Sequence, residues 1–298
     1  FQNPVLDQAD VILVMDSDVP WIPMISKPAA SAKIYHIDVD PLKEEMPLWY
    51  IHAKRAFRAD AATTLRQMSA YLEQVTPEQN AVEARTAHYS TLHEERSKGL
   101  KKREQPLDDT ITPEYLTASV RRHLDADTIV LNEGITNYTA IADHLGATRP
   151  GSVLTSVCGS LGCNGGAAIV VILDNPTNTV VCLTGDGSYM FSVPSSVHWI
   201  ARRYSTPFLQ IIYNNGGWKA PKLSMLAVHP EGYGSQAGDI DVSFDPPANY
   251  GGIAAAAGGA FAREVLCCGE LDTALAEAFR VVRQERRCAV LDVRLPHL

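Results

Sequence analysis

The sequence lacks the features that mark several large classes of protein. No apolar run is as long as a membrane span, which disfavours a membrane role. Lysine and arginine cluster only at residues 101–103 and the net charge is −8, so binding to nucleic-acid phosphates is disfavoured as well. The six cysteines include no C-x-x-C pair and no zinc-like grouping with histidine, which favours a reducing, cytoplasmic setting.

Two further absences concern the first part of the chain. No G-x-G-x-x-G sequence follows an early strand, which weakens the hypothesis of a generic nucleotide-binding protein. The chain opens at Phe1 without a methionine, and only two strands are predicted before residue 75, which is few for a stable sheet. We therefore expect residues 1–75 to be the C-terminal part of a longer α/β domain.

Short apolar runs alternate with helical patterns through most of the 298 residues, which is enough chain for two domains. In the first domain, the runs at residues 9–16 and 33–41 predict buried parallel strands, and residues 61–72 predict an amphipathic helix. Residues 76–111 are highly charged and carry no strong apolar stripe. This composition predicts a solvated helical linker.

The second domain is predicted to cover residues 112–298. Thr112 and Pro113 form a helix start, with a capping side chain followed by proline at the first helical position. Strands are predicted at residues 128–132, 153–156, 180–184, 207–213, 263–267 and 288–293, and a long helix at 271–284. This alternation predicts an α/β fold with a doubly wound parallel sheet, whose ligands bind beyond the carboxyl ends of the strands.

Two polar, glycine-flanked turns follow strands of that predicted sheet. Gly-Asp-Gly-Ser occupies residues 185–188, and Asn-Asn-Gly-Gly occupies residues 214–217. Side by side, they would offer a carboxylate, amide oxygens and backbone carbonyls, a set suited to Mg²⁺ that also keeps phosphate oxygens in its shell. Gly187 and Ser188 are expected to open a helix, where backbone amides favour a phosphate. We expect the turn that carries Asp186 to be exposed.

The two turns together resemble the signature of thiamine-diphosphate-dependent enzymes. Between Gly185-Asp186-Gly187 and Asn214-Asn215 lie 26 residues (188–213), a spacing similar to the family's. Residues 158–162, Cys-Gly-Ser-Leu-Gly, are similar to the family's Gly-x-hydrophobic-Gly turn, and residues 37–41 resemble the end of its central domain. The resemblance covers nearly the whole chain, as the second half of an enzyme like acetolactate synthase or benzoylformate decarboxylase.

The resemblance implies a fold and a set of cofactor contacts. The fold is the diphosphate-binding domain at 112–298, preceded by part of a Rossmann-like central domain. Asp186 and Asn215 would bind Mg²⁺ through their side chains and Gly217 through its carbonyl. Gly159 would accept a hydrogen bond from the 4′-amino group of thiamine diphosphate, and Leu161 would support the bent cofactor. The remaining implied cofactor-binding residues are Thr136, Asn137, Ser160, Gly185, Gly187, Ser188 and Trp218.

Each of these residues also has an ordinary structural interpretation. Asp and Asn are common in tight turns, Leu161 could belong to the core, and Thr136 and Asn137 could simply cap a helix. Lys219 could meet a substrate carboxylate, but an exposed lysine is the more usual case. We expect His198 and Trp199 to be packing residues.

The resemblance implies a carboligase or lyase that acts on 2-oxo acids. Some decarboxylases of the family carry a glutamate shortly after the Asn pair. Pro221 and Lys222 stand there in this sequence, which counts against a simple decarboxylase of that type. Two alternatives stay open: an acyl-CoA lyase or decarboxylase of the same family, and a non-catalytic subunit that retains the cofactor fold.

The family also implies a partner. In these enzymes a glutamate from an N-terminal, pyrimidine-binding domain activates the cofactor, and Glu133, the nearest candidate in this chain, is expected to lie on the wrong side. We therefore assign no catalytic residue to this chain. We expect a second polypeptide that carries the pyrimidine-binding domain, in an assembly with two or more copies of each half. An apolar interface patch is expected around Gly159 and Trp218.

Overall fold

A computed structural model of the chain describes residues 5–46, 51–155, 160–237 and 240–297. The chain divides into two compact units, Phe1–Ser90 and Thr91–Leu298. The division falls inside a long polar helix, α2 (Gln79–Arg103), none of whose side chains is buried. Among the described helices, none combines the length and the apolar character needed to cross a bilayer.

The first unit contains a small parallel sheet. Its strands, in spatial order, are β1 (Val11–Met15), β2 (Lys33–Asp38) and β3 (Arg55–Arg58), followed by helix α1 (Ala61–Leu72). Strands β1 and β2 and helix α1 form where the sequence predicts them, and the strands pair in parallel. The prediction of a buried strand is wrong for β1, in which only Val14 is buried. Asp60 caps α1 by accepting a hydrogen bond from the Thr63 amide at 2.7 Å. Strand β3 was not predicted, because it is exposed along its whole length and begins and ends in arginine.

The second unit is built on a sheet of six parallel strands in the order β5-β4-β6-β7-β9-β8. The strands are β4 (Thr128–Glu133), β5 (Val153–Thr155), β6 (Thr179–Gly185), β7 (Leu209–Asn214), β8 (Phe261–Val265) and β9 (Ala289–Arg294). The helices are α3 (Pro113–Arg121), α4 (Tyr138–Leu145), α5 (Cys163–Asp174), α6 (Asp186–Phe191), α7 (Pro194–Tyr204), α8 (Lys219–Val228), α9 (Tyr233–Gln236), α10 (Tyr250–Gly258) and α11 (Cys268–Arg283). The predicted α/β fold with a parallel sheet is confirmed.

Both faces of this sheet are covered, as its nearly continuous apolar strands require. Alternate residues of β6 serve opposite faces, since Val181 and Leu183 join one buried cluster while Val180 and Cys182 join the other. The first cluster is closed by helices α3, α4 and α11, and the second by α5, α7 and α10.

The path of the chain through the sheet determines where a ligand can bind. From β4 the chain moves outward to β5 and then returns to β6 on the other side of β4. The loops after β4 and β6 therefore leave the sheet in opposite directions and open a crevice at their carboxyl ends. Strand β7 pairs with β6 in parallel, with Gly185 opposite Tyr213, so the loop after β7 begins beside the same crevice.

Candidate functional site

A cavity of about 320 Å³ lies at the carboxyl ends of β4, β6 and β7. It is lined by Gly134, Ile135, Thr136, Leu161, Gly185, Asp186, Gly187, Ser188, Asn215, Gly217, Trp218, Lys219, Ala220, Pro221 and Ser224. The two turns singled out in the sequence thus meet at one site, as their positions after neighbouring parallel strands predict.

The Asp186 carboxylate joins these two turns. Its Oδ1 accepts a hydrogen bond from the Gly187 amide at 2.8 Å, and its Oδ2 accepts from the amides of Gly216 at 2.8 Å and Gly217 at 3.0 Å. The residue is only 2% exposed, so the expectation of an exposed turn is wrong at this position. Burial raises the pKa of Asp186 to about 6, against the lowering effect of the three amide hydrogen bonds.

The two asparagines after β7 have different tasks. Asn214 is buried and builds the loop: its Nδ2 donates to Asp292 Oδ1 at 2.8 Å, and its Oδ1 accepts from the Gly216 amide at 3.1 Å. Asn215 is also buried, but its Oδ1 has no hydrogen-bond partner in the described part of the chain. A buried oxygen without a partner lowers stability, so the second asparagine is the one available to a ligand.

Trp218 forms a fixed wall of the cavity. Its ring lies against Gly187 so closely that a side chain at that position would strike it. Phe191 and Phe244 contact the same ring edge-on, with centroid distances of 5.8 and 5.1 Å. The second glycine of Gly-Asp-Gly is therefore required by packing.

Glu133 supports the loop that contains Leu161. Its buried carboxylate accepts hydrogen bonds from the amides of Gly162, of Cys163 at 3.2 Å and of Asn164 at 2.8 Å, at the start of α5. Burial raises the pKa of Glu133, and these amides oppose the rise. Because its oxygens are engaged there, Glu133 is a support for α5 and not a free acid in the cavity.

The structure brings most of the residues proposed from the sequence to one place. Thr136, Leu161, Gly185, Asp186, Gly187, Ser188, Asn215, Gly217 and Trp218 all line the cavity. Asn137 is buried and Ser160 is exposed, and neither is among the residues that line it. Gly159 lies outside the described residues, so the expected interface patch around it is not described either.

Several lining residues were missed from the sequence. Ile135 has a positive φ of 47°, an unusual conformation for a β-branched residue that marks strain beside the cavity. Ser224 carries no sequence signal, because it enters the site only through the direction in which α8 leaves the loop. Lys219 also lines the cavity and is half-buried, so the interpretation of Lys219 as an ordinary exposed lysine is wrong. Burial lowers the pKa of Lys219.

The two residues expected to pack on α7 differ. His198 is buried and stacks on Phe208 with a centroid distance of 5.3 Å, as expected, and burial lowers its pKa to about 4. Trp199 is 53% exposed and lies on the outer side of the helix, so the packing expectation is wrong for it.

The donor set of the cavity fits a hard cation that shares its shell with a ligand. Among the described residues, no group of three or more His, Cys, Asp or Glu side chains could hold a metal ion. What the site offers is the Asp186 carboxylate, the unpartnered Asn215 oxygen and the Gly217 carbonyl. Mg²⁺ commonly takes only one or two carboxylates from a protein and fills the remaining positions with phosphate oxygens and water.

Comparison with known proteins places this site in a family. The family model described as "Thiamine pyrophosphate enzyme, C-terminal TPP binding domain" matches residues 134–293, more than half of the chain. The chain belongs to the thiamine pyrophosphate enzymes. Every residue that lines the cavity lies within the match, so the crevice is that of the family's C-terminal cofactor-binding domain.

Curated relatives of this chain include acetolactate synthases. The chain is 28% identical over 166 residues to the acetolactate synthase isozyme 2 large subunit of Escherichia coli K12, covering 55% of this chain and 28% of that protein. It is 27% identical over 227 residues to the chloroplastic acetolactate synthase 1 of Oryza sativa subsp. japonica, covering 72% of this chain and 33% of that protein. The chain thus spans about a third of these relatives.

Solved structures show the same fold. A thiamine diphosphate-dependent 4-hydroxybenzoylformate decarboxylase from Rhodococcus jostii RHA1 superposes with a TM-score of 0.68 at 20% identity, covering 97% of this chain and 49% of that one. The benzoylformate decarboxylase of Polynucleobacter necessarius superposes with a TM-score of 0.66 at 16% identity. The likeness extends to the first unit, since nearly the whole chain is covered.

Proposed function

We propose that this chain anchors thiamine diphosphate through Mg²⁺. Asp186 and Asn215 would hold the metal with their side chains and Gly217 with its carbonyl, while Thr136, Gly187 and Ser188 would bind the diphosphate. The observation that carries the proposal is the buried Asn215 oxygen, which finds no partner in the described chain, in a residue that lines the same cavity as Asp186. A metal ion would supply the missing partner.

We further propose that the complete enzyme is a carboligase or lyase of 2-oxo acids. Once bound, thiamine diphosphate supplies the electron sink for making or breaking a bond beside a carbonyl group. This chain's part is to orient: Leu161 and Trp218 give the cavity an apolar wall, and Glu133 fixes the loop after Leu161. The names of the relatives support this substrate class. The acyl-CoA alternative has less support, because the described lining contains one cation and not the cluster that CoA phosphates need.

A partner that supplies an acid is part of the proposal. The described lining contains one carboxylate, that of Asp186, and its oxygens face backbone amides. Glu133 is engaged at the start of α5. We therefore propose that the acid which activates the cofactor comes from a pyrimidine-binding domain on another polypeptide, in an assembly with at least two copies of each half.

The two asparagines offer a matched test of the metal site. Asn215→Ala removes a ligand oxygen that nothing else in the described chain uses, so we expect the Mg²⁺-dependent affinity for thiamine diphosphate to fall at least about tenfold with little change in stability. Asn214→Ala should instead lower the free energy of unfolding, by about 1–3 kcal/mol, because the buried Asp292 carboxylate loses its donor and the Gly216 amide keeps only Asp186 as an acceptor.

Calorimetry with thiamine diphosphate, in Mg²⁺ and again in EDTA, measures the affinity, and urea denaturation measures the stability. If Asn215→Ala binds the cofactor as tightly as the unmodified chain does in Mg²⁺, the metal assignment is wrong.

A further inference from the structure

Two chemical kinds of residue line the cavity. Asp186, Ser188 and Asn215 carry polar side-chain oxygens, while Leu161, Trp218, Ala220 and Pro221 consist mainly of carbon atoms. Lys219 is the one cation in the described lining.

The ammonium group of Lys219 has no partner within the described residues. Its side chain is half-buried, yet it forms no hydrogen bond or ion pair there, and Asp186, the lining carboxylate, is held by the amides of Gly187, Gly216 and Gly217. Lys43 shows the usual arrangement, with its ammonium 2.8 Å from both Asp18 and Asp38. Removing a cation from water without a counter-ion costs free energy, so an anion that enters the cavity would be stabilised at Lys219.

We propose that Lys219 binds the carboxylate of the substrate; this rests on the proposed function as a 2-oxo acid enzyme. The cofactor diphosphate has another place in the proposed site, because Asp186 and Asn215 would hold it through Mg²⁺. The substrate carboxylate, in contrast, meets no other positive side chain in the described lining. A charge-assisted hydrogen bond from Lys219 would therefore select acids over their uncharged analogues.

Lys222 provides a matched control on the same helix. It lies three residues further along α8, is also half-buried, and does not line the cavity. Replacing either lysine by methionine removes one positive charge from α8 and keeps a long unbranched side chain. A difference between Lys219→Met and Lys222→Met therefore reports on the cavity and not on the charge of the helix.

Calorimetry on the full chain tests the proposal in two steps. Thiamine diphosphate with Mg²⁺ is titrated first; pyruvate, 2-oxobutyrate and benzoylformate are then titrated into the loaded protein, each beside its methyl ester. For the unmodified chain we expect at least one acid to bind more tightly than its ester. Lys219→Met should lower the affinity for that acid about tenfold and leave the affinities for its ester and for the cofactor within about twofold. Lys222→Met should change none of these affinities.

The outcomes separate this proposal from the proposed function. If Lys219→Met weakens the cofactor as much as the acid, Lys219 serves the diphosphate and the assignment to the substrate is wrong. The proposal is also wrong if Lys219→Met loses affinity for the acid and the ester equally, or loses affinity for neither. It is wrong as well if the unmodified chain binds no acid more tightly than its ester. If the unmodified chain does not bind thiamine diphosphate in a Mg²⁺-dependent way, the proposed function fails and this inference fails with it. Lys219→Arg, which keeps the charge, should restore part of the preference for the acid.

Discussion

Asp186 combines a structural and a proposed functional task in one side chain. Its oxygens tie the turn after β6 to the turn after β7, and the same carboxylate is proposed to bind Mg²⁺. Replacing it by alanine would remove the metal ligand and also leave the amides of Gly187 and Gly217 without their acceptor. Lost binding in such a variant would therefore have two explanations, which is why Asn215 is the better residue to test.

The pKa of Asp186 makes a prediction about pH. The value of about 6 lies above the ordinary 3.8, so between these values the folded chain binds a proton that the unfolded chain does not. Without metal, this group should therefore stabilise the fold as the pH falls from 6 towards 4. Metal binding requires the charged form, so the Mg²⁺-dependent affinity should fall over the same range, by up to about tenfold per pH unit.

Calorimetry and urea denaturation at pH 5, 6 and 7 measure the two trends. Asp186→Asn has no carboxyl proton to exchange. In this variant the contribution of residue 186 to the pH dependence of stability and of Mg²⁺-dependent affinity should disappear. A metal-dependent affinity that is as high at pH 5 as at pH 7 would contradict the assignment of Asp186 as a ligand.

At the scale of the elements, the start of α5 depends on a residue of another strand. Glu133 ends β4, and its carboxylate accepts the amides of Gly162, Cys163 and Asn164. Amides at the start of a helix have no acceptor within it, and a carboxylate there is favoured by the helix dipole as well. The position of Leu161, one residue before these amides, therefore depends on Glu133.

We expect Glu133→Ala to lower the free energy of unfolding by about 1–3 kcal/mol, because buried amides lose their acceptor. Glu133→Gln, which keeps one acceptor oxygen, should lower the free energy of unfolding by less than Glu133→Ala does. Glu264→Ala is the control: Glu264 pairs with Arg294 on the surface, and such pairs contribute less than about 1 kcal/mol. Urea denaturation measures all three. Equal stability of Glu133→Ala and the unmodified chain would show that the hydrogen bonds to α5 do not support the fold.

At the scale of the whole molecule, the described cavity offers the cofactor an anchor and an apolar wall but no uncommitted acid. The chain spans about half of the solved decarboxylase it superposes on and about a third of the acetolactate synthases it matches. That another polypeptide completes the site remains our proposal.

We predict that the purified chain binds thiamine diphosphate and Mg²⁺ but does not turn over 2-oxo acids. The reason is that the described lining holds only the Asp186 carboxylate, which is engaged with backbone amides. Hydrogen–deuterium exchange at the reactive carbon of the cofactor, followed by NMR, measures activation without a substrate. Fast exchange in the lone chain would show that it supplies its own acid, and the proposal that a partner is needed would be wrong.

The sequence by itself determined the elements and the approximate place of the site. The apolar run of β6 and the polar turn after it are local patterns, and the spacing to Asn214 and Asn215 identified the second turn. Helix α1 and the cap at Thr112 were likewise predicted, because capping and amphipathic periodicity depend on residues only a few positions apart. The parallel arrangement followed from the alternation of strands and helices.

Only the tertiary structure decided which side chains at the site are free. Asp186, Asn214 and Glu133 each have a partner about 30 or more residues away, namely Gly216, Asp292 and Asn164, and no local pattern records such pairings. The burial of Asp186, the free oxygen of Asn215 and the entry of Lys219 into the cavity all follow from how β7 and α8 meet the turn after β6. Hydrophobic periodicity determines which residues form an element, but packing between elements determines which polar groups are left for a ligand.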